Sequence, residues 1–173
     1  MIRVLVSSCL LGEPVRYDGS DVHAESGTLD RWQAEGRLIP FCPEIAGGFP
    51  VPRPAAEIEG PGGLAVLRAE AKVVDETGED VTQYFVAGAR AALSAARDVG
   101  AGLAILTDGS PSCGSTYVYD GSFTGVKRSV LGVTAALLEQ EGIRVFSQQQ
   151  IDDAAVFLSQ LESGDRHPEG CRD

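Results

Sequence analysis

Ile2-Arg3-Val4-Leu5-Val6 runs directly into Ser7-Ser8-Cys9, and this junction decides the fold. A short apolar run of this kind reads as a strand of a parallel sheet, covered on both faces. The pattern recurs twice. Arg37-Leu38-Ile39-Pro40-Phe41 leads into Cys42-Pro43-Glu44, and Leu103-Ala104-Ile105-Leu106 leads toward Ser110-Pro111-Ser112-Cys113-Gly114. In open α/β sheets ligands bind in the crevice beyond the carboxyl ends of the strands. Three thiols far apart in the chain are therefore expected to meet at one end of one sheet.

The segments between these junctions supply helices. Residues 29–35 read as a short helix, with Thr28 as N-cap and Gly36 past its end. Residues 80–99 are the clearest helix: Thr82 or Asp80 caps it, Phe85, Ala89, Ala92, Leu93 and Ala96 form an apolar stripe, and Gly100 ends it. Helices 130–141 and 151–161 flank a strand at 144–146. A small hairpin or edge is expected from 65–67 and 72–74, and 117–125 is rich in turn formers. The segment 42–54, with four prolines and two glycines, is too broken for a helix or strand and reads as a binding loop. The resulting fold class is α/β, a three-layer sandwich with a mostly parallel, Rossmann-like sheet. One domain is expected over 1–162, followed by a polar tail, 163–173.

Composition narrows the function classes. A chain of 173 residues, 43% hydrophobic and 23% charged, has a globular core. Fourteen Lys and Arg against 25 Asp and Glu give a net charge of −11, which argues against bulk nucleic-acid binding. No apolar stretch reaches the ~18–20 residues of a membrane span. The N-terminus enters a strand without a leader-like pattern, so a cytoplasmic location is expected. Oligomeric state is not legible.

Convergent thiolates point to a metal or iron–sulfur site. The paired C-x-x-C of compact zinc modules is absent, and dispersed soft ligands suit an iron–sulfur cubane better. Three ligands, Cys9, Cys42 and Cys113, would leave one iron open. Cys171 lies in the polar tail and reads as a surface thiol, and His23 and His167 stand at no ligand spacing. Glu44, two residues beyond Cys42, suits a general acid or base. Asp108, Ser110 and Ser112 surround the third cysteine, with groups able to bond sulfur or orient a substrate. Arg16, Asp18 and Arg53 lie in loops expected to face the same crevice, and arginine offers a planar fork of donors. A non-catalytic iron–sulfur or zinc-binding module such as a redox sensor, and a zinc hydrolase, remain alternatives.

Several motifs in order carry a resemblance. Ser8-Cys9-Leu10-Leu11-Gly12, Val15-Arg16-Tyr17-Asp18-Gly19, Cys42-Pro43-Glu44 with Gly47-Gly48, and Pro52-Arg53 with Glu57-Ile58 come first. Gly78-Glu79-Asp80-Val81-Thr82, Ser110-Pro111-Ser112-Cys113-Gly114 and Tyr119-Asp120-Gly121 follow. Over residues 1–147 the chain resembles the thiouracil desulfurase family of small bacterial proteins. The resemblance implies a [4Fe-4S] cluster with three Cys ligands, Cys9, Cys42 and Cys113. It implies hydrolytic, non-redox desulfuration of a small-molecule thiolated base or nucleoside, 2-thiouracil-like, from C=S to C=O with sulfide release. Glu44 would move the proton, Ser110 or Ser112 would position the base, and Arg16, Asp18, Arg53 and Asp108 are the expected substrate contacts.

Overall fold

The computed structural model describes residues 1–164. In chain order the elements are β1 (Arg3–Ser7), a 3₁₀ turn (Ser8–Leu11), α1 (Gly27–Ala34), β2 (Leu38–Phe41) and α2 (Pro43–Ala46). Then come β3 (Ala56–Glu59), α3 (Gly63–Leu67), β4 (Lys72–Asp75), α4 (Thr82–Asp98) and β5 (Ala101–Leu106). The order closes with β6 (Val118–Tyr119), β7 (Lys127–Arg128), α5 (Val133–Gln140), β8 (Arg144–Ser147) and α6 (Ile151–Ser163).

The central sheet has the order β2-β1-β5-β8, and every pairing in it is parallel. Side chains alternate across a strand, so each apolar run feeds two cores. Val4, Val6, Leu103, Ile105 and Phe146 face α1 and α6, where Leu29, Trp32, Ile151, Ala154 and Leu158 meet them. Leu5, Ala104, Leu106 and Val145 face the other way, against Ala92, Leu93 and Ala96 of α4 and Ala135 and Leu138 of α5. Helix, sheet and helix form the three layers expected. A third core joins Ile58, Val66, Val73, Phe85 and Val133 beneath the antiparallel pair β3–β4.

From β1 the chain steps to β2 on one side, returns past β1 to β5, and continues outward to β8. The strand order reverses there, and such a switch point leaves a crevice at the carboxyl ends. Cys9, Cys42 and Cys113 follow β1, β2 and β5 respectively.

Local structure departs from the sequence expectations at several points: α4 starts at Thr82 with Val81, not Thr82 or Asp80, as its N-cap, and α5 starts at Val133 rather than at 130. Ser26, not Thr28, caps α1: its Oγ accepts from the Leu29 amide at 3.3 Å, three residues on, as an N-cap should. Residues 65–67 belong to α3, and β4 pairs instead with β3, Ile58 opposite Val73. The close packing of Gly63 on the Gly132 carbonyl, where a Cβ would lie 2.2 Å from that oxygen, seats a helix turn rather than a strand. The proline-rich segment contains the helical turn α2, with Cys42 as N-cap and Pro43 in its first position. Proline costs nothing there, because that amide has no intrahelical partner in any case. The stripe on α4 is as expected, with Phe85, Ala89, Ala92, Leu93 and Ala96 all buried.

α2 sits backbone to backbone on α4. A Cβ at Gly88 would lie 2.1 Å from the Pro43 carbonyl oxygen, and one at Gly47 would lie 2.2 Å from that of Tyr84. Only glycine allows this approach, and it fixes the Cys42-Pro43-Glu44 corner. Gly88→Ala tests it. Helix propensity alone favours Ala by about 1 kcal/mol. The backbone clash is expected to reverse that sign and destabilise the protein by about 1–3 kcal/mol in denaturant unfolding. A stabilised Gly88→Ala variant would show that the corner is not packed this tightly.

Candidate functional site

A cavity of about 240 Å³ opens at the carboxyl ends of β1, β2 and β5. Cys9, Cys42 and Cys113 all line it, together with Arg16, Glu44, Arg53 and Ser110. Three loops converge because each follows a strand of the same sheet, and each is held by its own device.

Ser8–Leu11 turns in a single 3₁₀ turn that Gly12 closes in the left-handed conformation, at φ 90°. This presents Cys9 at the strand end. Its Sγ lies 2.9 Å from the Thr107 hydroxyl, and the Thr107 amide donates to Ser7 Oγ at 3.1 Å. The β1 and β5 ends are thus tied across the crevice.

The third loop is organised by Ser110, whose Oγ accepts from the amides of Ser112 and Cys113, both at 3.1 Å. The first amides of α5 are satisfied by the same loop: Val133 donates to the Pro111 carbonyl at 2.8 Å and Thr134 to that of Ser112 at 2.9 Å. Ser112 Oγ is 2.7 Å from Thr134 Oγ1, so its side chain turns away from the cavity toward α5. Asp108 supports the loop from behind. Its Oδ1 accepts from the amides of Ser115 and Thr116 at 2.9 Å, and its Oδ2 from the Thr116 hydroxyl at 2.5 Å.

Glu44 bridges the second and third loops. Arg53 Nε donates to its Oε1 at 3.3 Å, and the Ser110 hydroxyl to its Oε2 at 3.5 Å. The pair is largely sequestered, with the Arg53 side chain 3% and the Glu44 side chain 17% exposed. Each terminal nitrogen of Arg53 also donates to the protein, Nη1 to the Pro50 carbonyl at 3.2 Å and Nη2 to the Val15 carbonyl at 2.9 Å. It reaches the cavity as the holder of Glu44. Arg16 differs: it lines the cavity, and no side chain–mediated hydrogen bond or ion pair commits its guanidinium among the described residues. Asp18 does not line the cavity; it is exposed and folds back on Ser20, whose hydroxyl and amide both donate to it.

The sequence expectations therefore divide. The structure brings Cys9, Cys42, Cys113, Glu44, Ser110, Arg16 and Arg53 to one cavity, and it leaves Asp18, Asp108 and Ser112 outside its lining. Cys171 lies outside the described residues. Thr107, Ser7, Glu57 and Tyr119 also line the cavity and were not singled out as site residues. A hydroxyl at the last position of β1 and another just beyond β5 are the sequence signal for Ser7 and Thr107.

All three thiols are free. Burial pushes each of them up from the ordinary thiol value. For Cys113 the neighbouring Glu44, Cys42 and Cys9 add to that effect, while for Cys9 the Thr107 hydroxyl opposes it. Buried thiolates of this kind persist only beside a compensating cation, which is what a metal cofactor supplies. Among the described residues no three His, Cys, Asp or Glu side chains close on one point as a single ion requires. Three soft thiol donors lining one cavity are a donor set suited to an iron–sulfur cluster. No helix among the described residues is long and apolar enough to cross a membrane.

The profile of the family described as 2-thiouracil desulfurase matches residues 4–150. The uncharacterized protein YbbK of Bacillus subtilis (strain 168) is 46% identical over 150 residues, covering 87% of this chain and 98% of that protein. A solved structure described as [4Fe-4S]-dependent thiouracil desulfidase TudS superposes with a TM-score of 0.84 at 46% identity, over 92% of this chain and 99% of the other.

Proposed function

Since the chain belongs to the 2-thiouracil desulfurase family, we propose that it is an iron–sulfur-dependent enzyme converting a thiolated pyrimidine base to its oxygen analogue with release of sulfide. The observation that carries this is the convergence of three free thiols and a held carboxylate on one cavity at the switch point of the sheet. Cys9, Cys42 and Cys113 would hold a [4Fe-4S] cluster, leaving one iron without a protein ligand. When bound, such a cluster supplies a Lewis acid for the thiocarbonyl sulfur. Three soft donors from dispersed positions, without the paired C-x-x-C of compact zinc modules, favour it over a single tetrahedral zinc ion.

The residues of the chain supply the rest. The overall change is C=S plus water to C=O plus H₂S, with no change of oxidation state. Glu44 takes a proton from the attacking water and returns it to the ring nitrogen or to the departing sulfide. Ser110 donates to Glu44 Oε2 and also fixes the Cys113 amide, so base and ligand loop keep one relative position. Arg16 is free to donate to a carbonyl of the substrate. The cavity, about 240 Å³ with part of it given to the cofactor, suits a single ring rather than a polynucleotide. A cytoplasmic setting keeps the three thiols reduced, and every residue assigned lies within the proposed domain, 1–162.

Anaerobic reconstitution followed by incubation with 2-thiouracil is the test. Uracil and sulfide in equal amounts are expected. A stable cluster that is reduced and reoxidised, with neither product formed, would point instead to a redox sensor.

Arg53→Lys probes how Glu44 is held. Lysine keeps the charge but loses the planar fork that reaches Glu44, Pro50 and Val15 together. A fall in kcat on the order of 10-fold, with the cluster spectrum unchanged, is expected for a displaced base. An unchanged kcat would show that Glu44 needs no such support.

A further inference from the structure

We propose that Glu57 reads the substrate: it accepts a hydrogen bond from a ring N–H flanking the thiocarbonyl and makes that N–H a requirement for binding. This rests on the desulfurase reading above. In β3 the alternation buries Ile58, 1% exposed, and turns Glu57 to the opposite face, where it lines the same cavity as the three thiols. The turn between β6 and β7 then fixes the side chain. Glu57 Oε1 accepts from the Gly121 amide at 3.0 Å and from the Phe123 amide at 3.1 Å.

That turn is itself seated on β3. Gly121 has φ 94°, and a Cβ there would lie 2.6 Å from the Ile58 carbonyl oxygen. Both backbone donors are spent on one carboxylate oxygen. The other, Oε2, has no hydrogen-bond or ion-pair partner among the described residues. A carboxylate with one oxygen anchored and one uncommitted is a preorganised acceptor. Arg16 in the same cavity is an uncommitted donor. An acceptor and a donor together match an N–H beside a C=O, the edge of a pyrimidine ring. A phosphate has no N–H to offer and would meet a carboxylate. Pinning the turn does not by itself require a carboxylate, because one acceptor oxygen suffices for both amides. Glu57→Gln keeps that oxygen and replaces Oε2 by a donor.

Three measurements test the assignment. The first compares turnover of 2-thiouracil with that of its N1-methyl and N3-methyl derivatives by the reconstituted enzyme. The second repeats this for Glu57→Gln. The third titrates uracil, which cannot react, into both proteins. The wild type is expected to discriminate against one methyl derivative by on the order of 10²-fold or more in kcat/KM, and the derivative refused identifies the nitrogen read. Glu57→Gln is expected to raise KM and weaken uracil binding by roughly 10–100-fold, the worth of a hydrogen bond to a charged group. The same variant should lose the methyl discrimination and keep the wild-type melting temperature. Equal handling of both methyl derivatives by the wild type overturns the assignment, as does a Glu57→Gln variant with unchanged KM and uracil affinity. If Glu57→Gln fails to fold, the wild-type methyl series decides alone. If 2-thiouracil is not desulfurated at all, the proposed activity falls, and uracil titration still reads Glu57 separately.

Discussion

Replacing Cys9, Cys42 or Cys113 singly by Ala is expected to abolish both the brown absorption near ~400 nm of the anaerobically reconstituted protein and its release of sulfide. Among the described residues the three thiols are the only soft donors lining the cavity. No other described His or Cys lines it to take the place of one removed. Serine in place of each cysteine should fail as well, since a hard oxygen ligand is poorly matched to an iron–sulfur cluster. The loss must be read against retained structure. Cys9 and Cys113 are buried and join the two cores that flank the sheet, so each Ala variant removes some packing. The circular dichroism spectrum should nevertheless keep its α/β form, because the sheet and its helices do not depend on these side chains alone. Cys171→Ala should keep colour and activity. A bleached Cys171→Ala variant would end the three-ligand proposal and the open iron with it.

Glu44→Gln should cut kcat by roughly 10²–10⁴-fold, the usual worth of a general acid or base, while the cluster spectrum stays as in the wild type. The substitution preserves shape. Gln keeps an acceptor for Ser110 or for Arg53 but cannot take a proton from water. It also leaves the nearly sequestered Arg53 guanidinium without its counter-charge. Removing one partner of a buried pair costs up to about 3–5 kcal/mol; the 17% exposure of Glu44 and the carbonyls of Pro50 and Val15 moderate that here. Rates should therefore be compared well below the melting temperature of the variant. Uracil affinity should change little, which separates a proton-transfer role from a binding role. A Glu44→Gln variant with full cluster and a near-wild-type rate would remove Glu44 from the chemistry and leave water activation to the metal.

The sequence by itself determined the sheet and the placing of its three thiols. The runs before Ser7, Cys42 and Thr107 are apolar at every position that the two cores need, and strand alternation then assigns Val4 and Leu5 to opposite layers. Period and composition act locally, so a linear reading captures them. The tertiary structure decided what the loops do. Arg53 looks like a free cation in the chain, yet the carbonyls of Val15 and Pro50 hold both its terminal nitrogens while its Nε supports Glu44. Asp108 and Ser112 stand beside Cys113 in sequence, but the Thr116 and Thr134 hydroxyls draw their side chains away from the cavity. Glu57 stands in a strand with no neighbouring signal, and it gains its place because the Gly121–Phe123 backbone, more than sixty residues away, donates to it. Such assignments follow from which donors and acceptors remain unpaired once the layers have packed, and the partners range from three residues apart, as for Arg53 and Pro50, to more than sixty, as for Glu57 and Phe123.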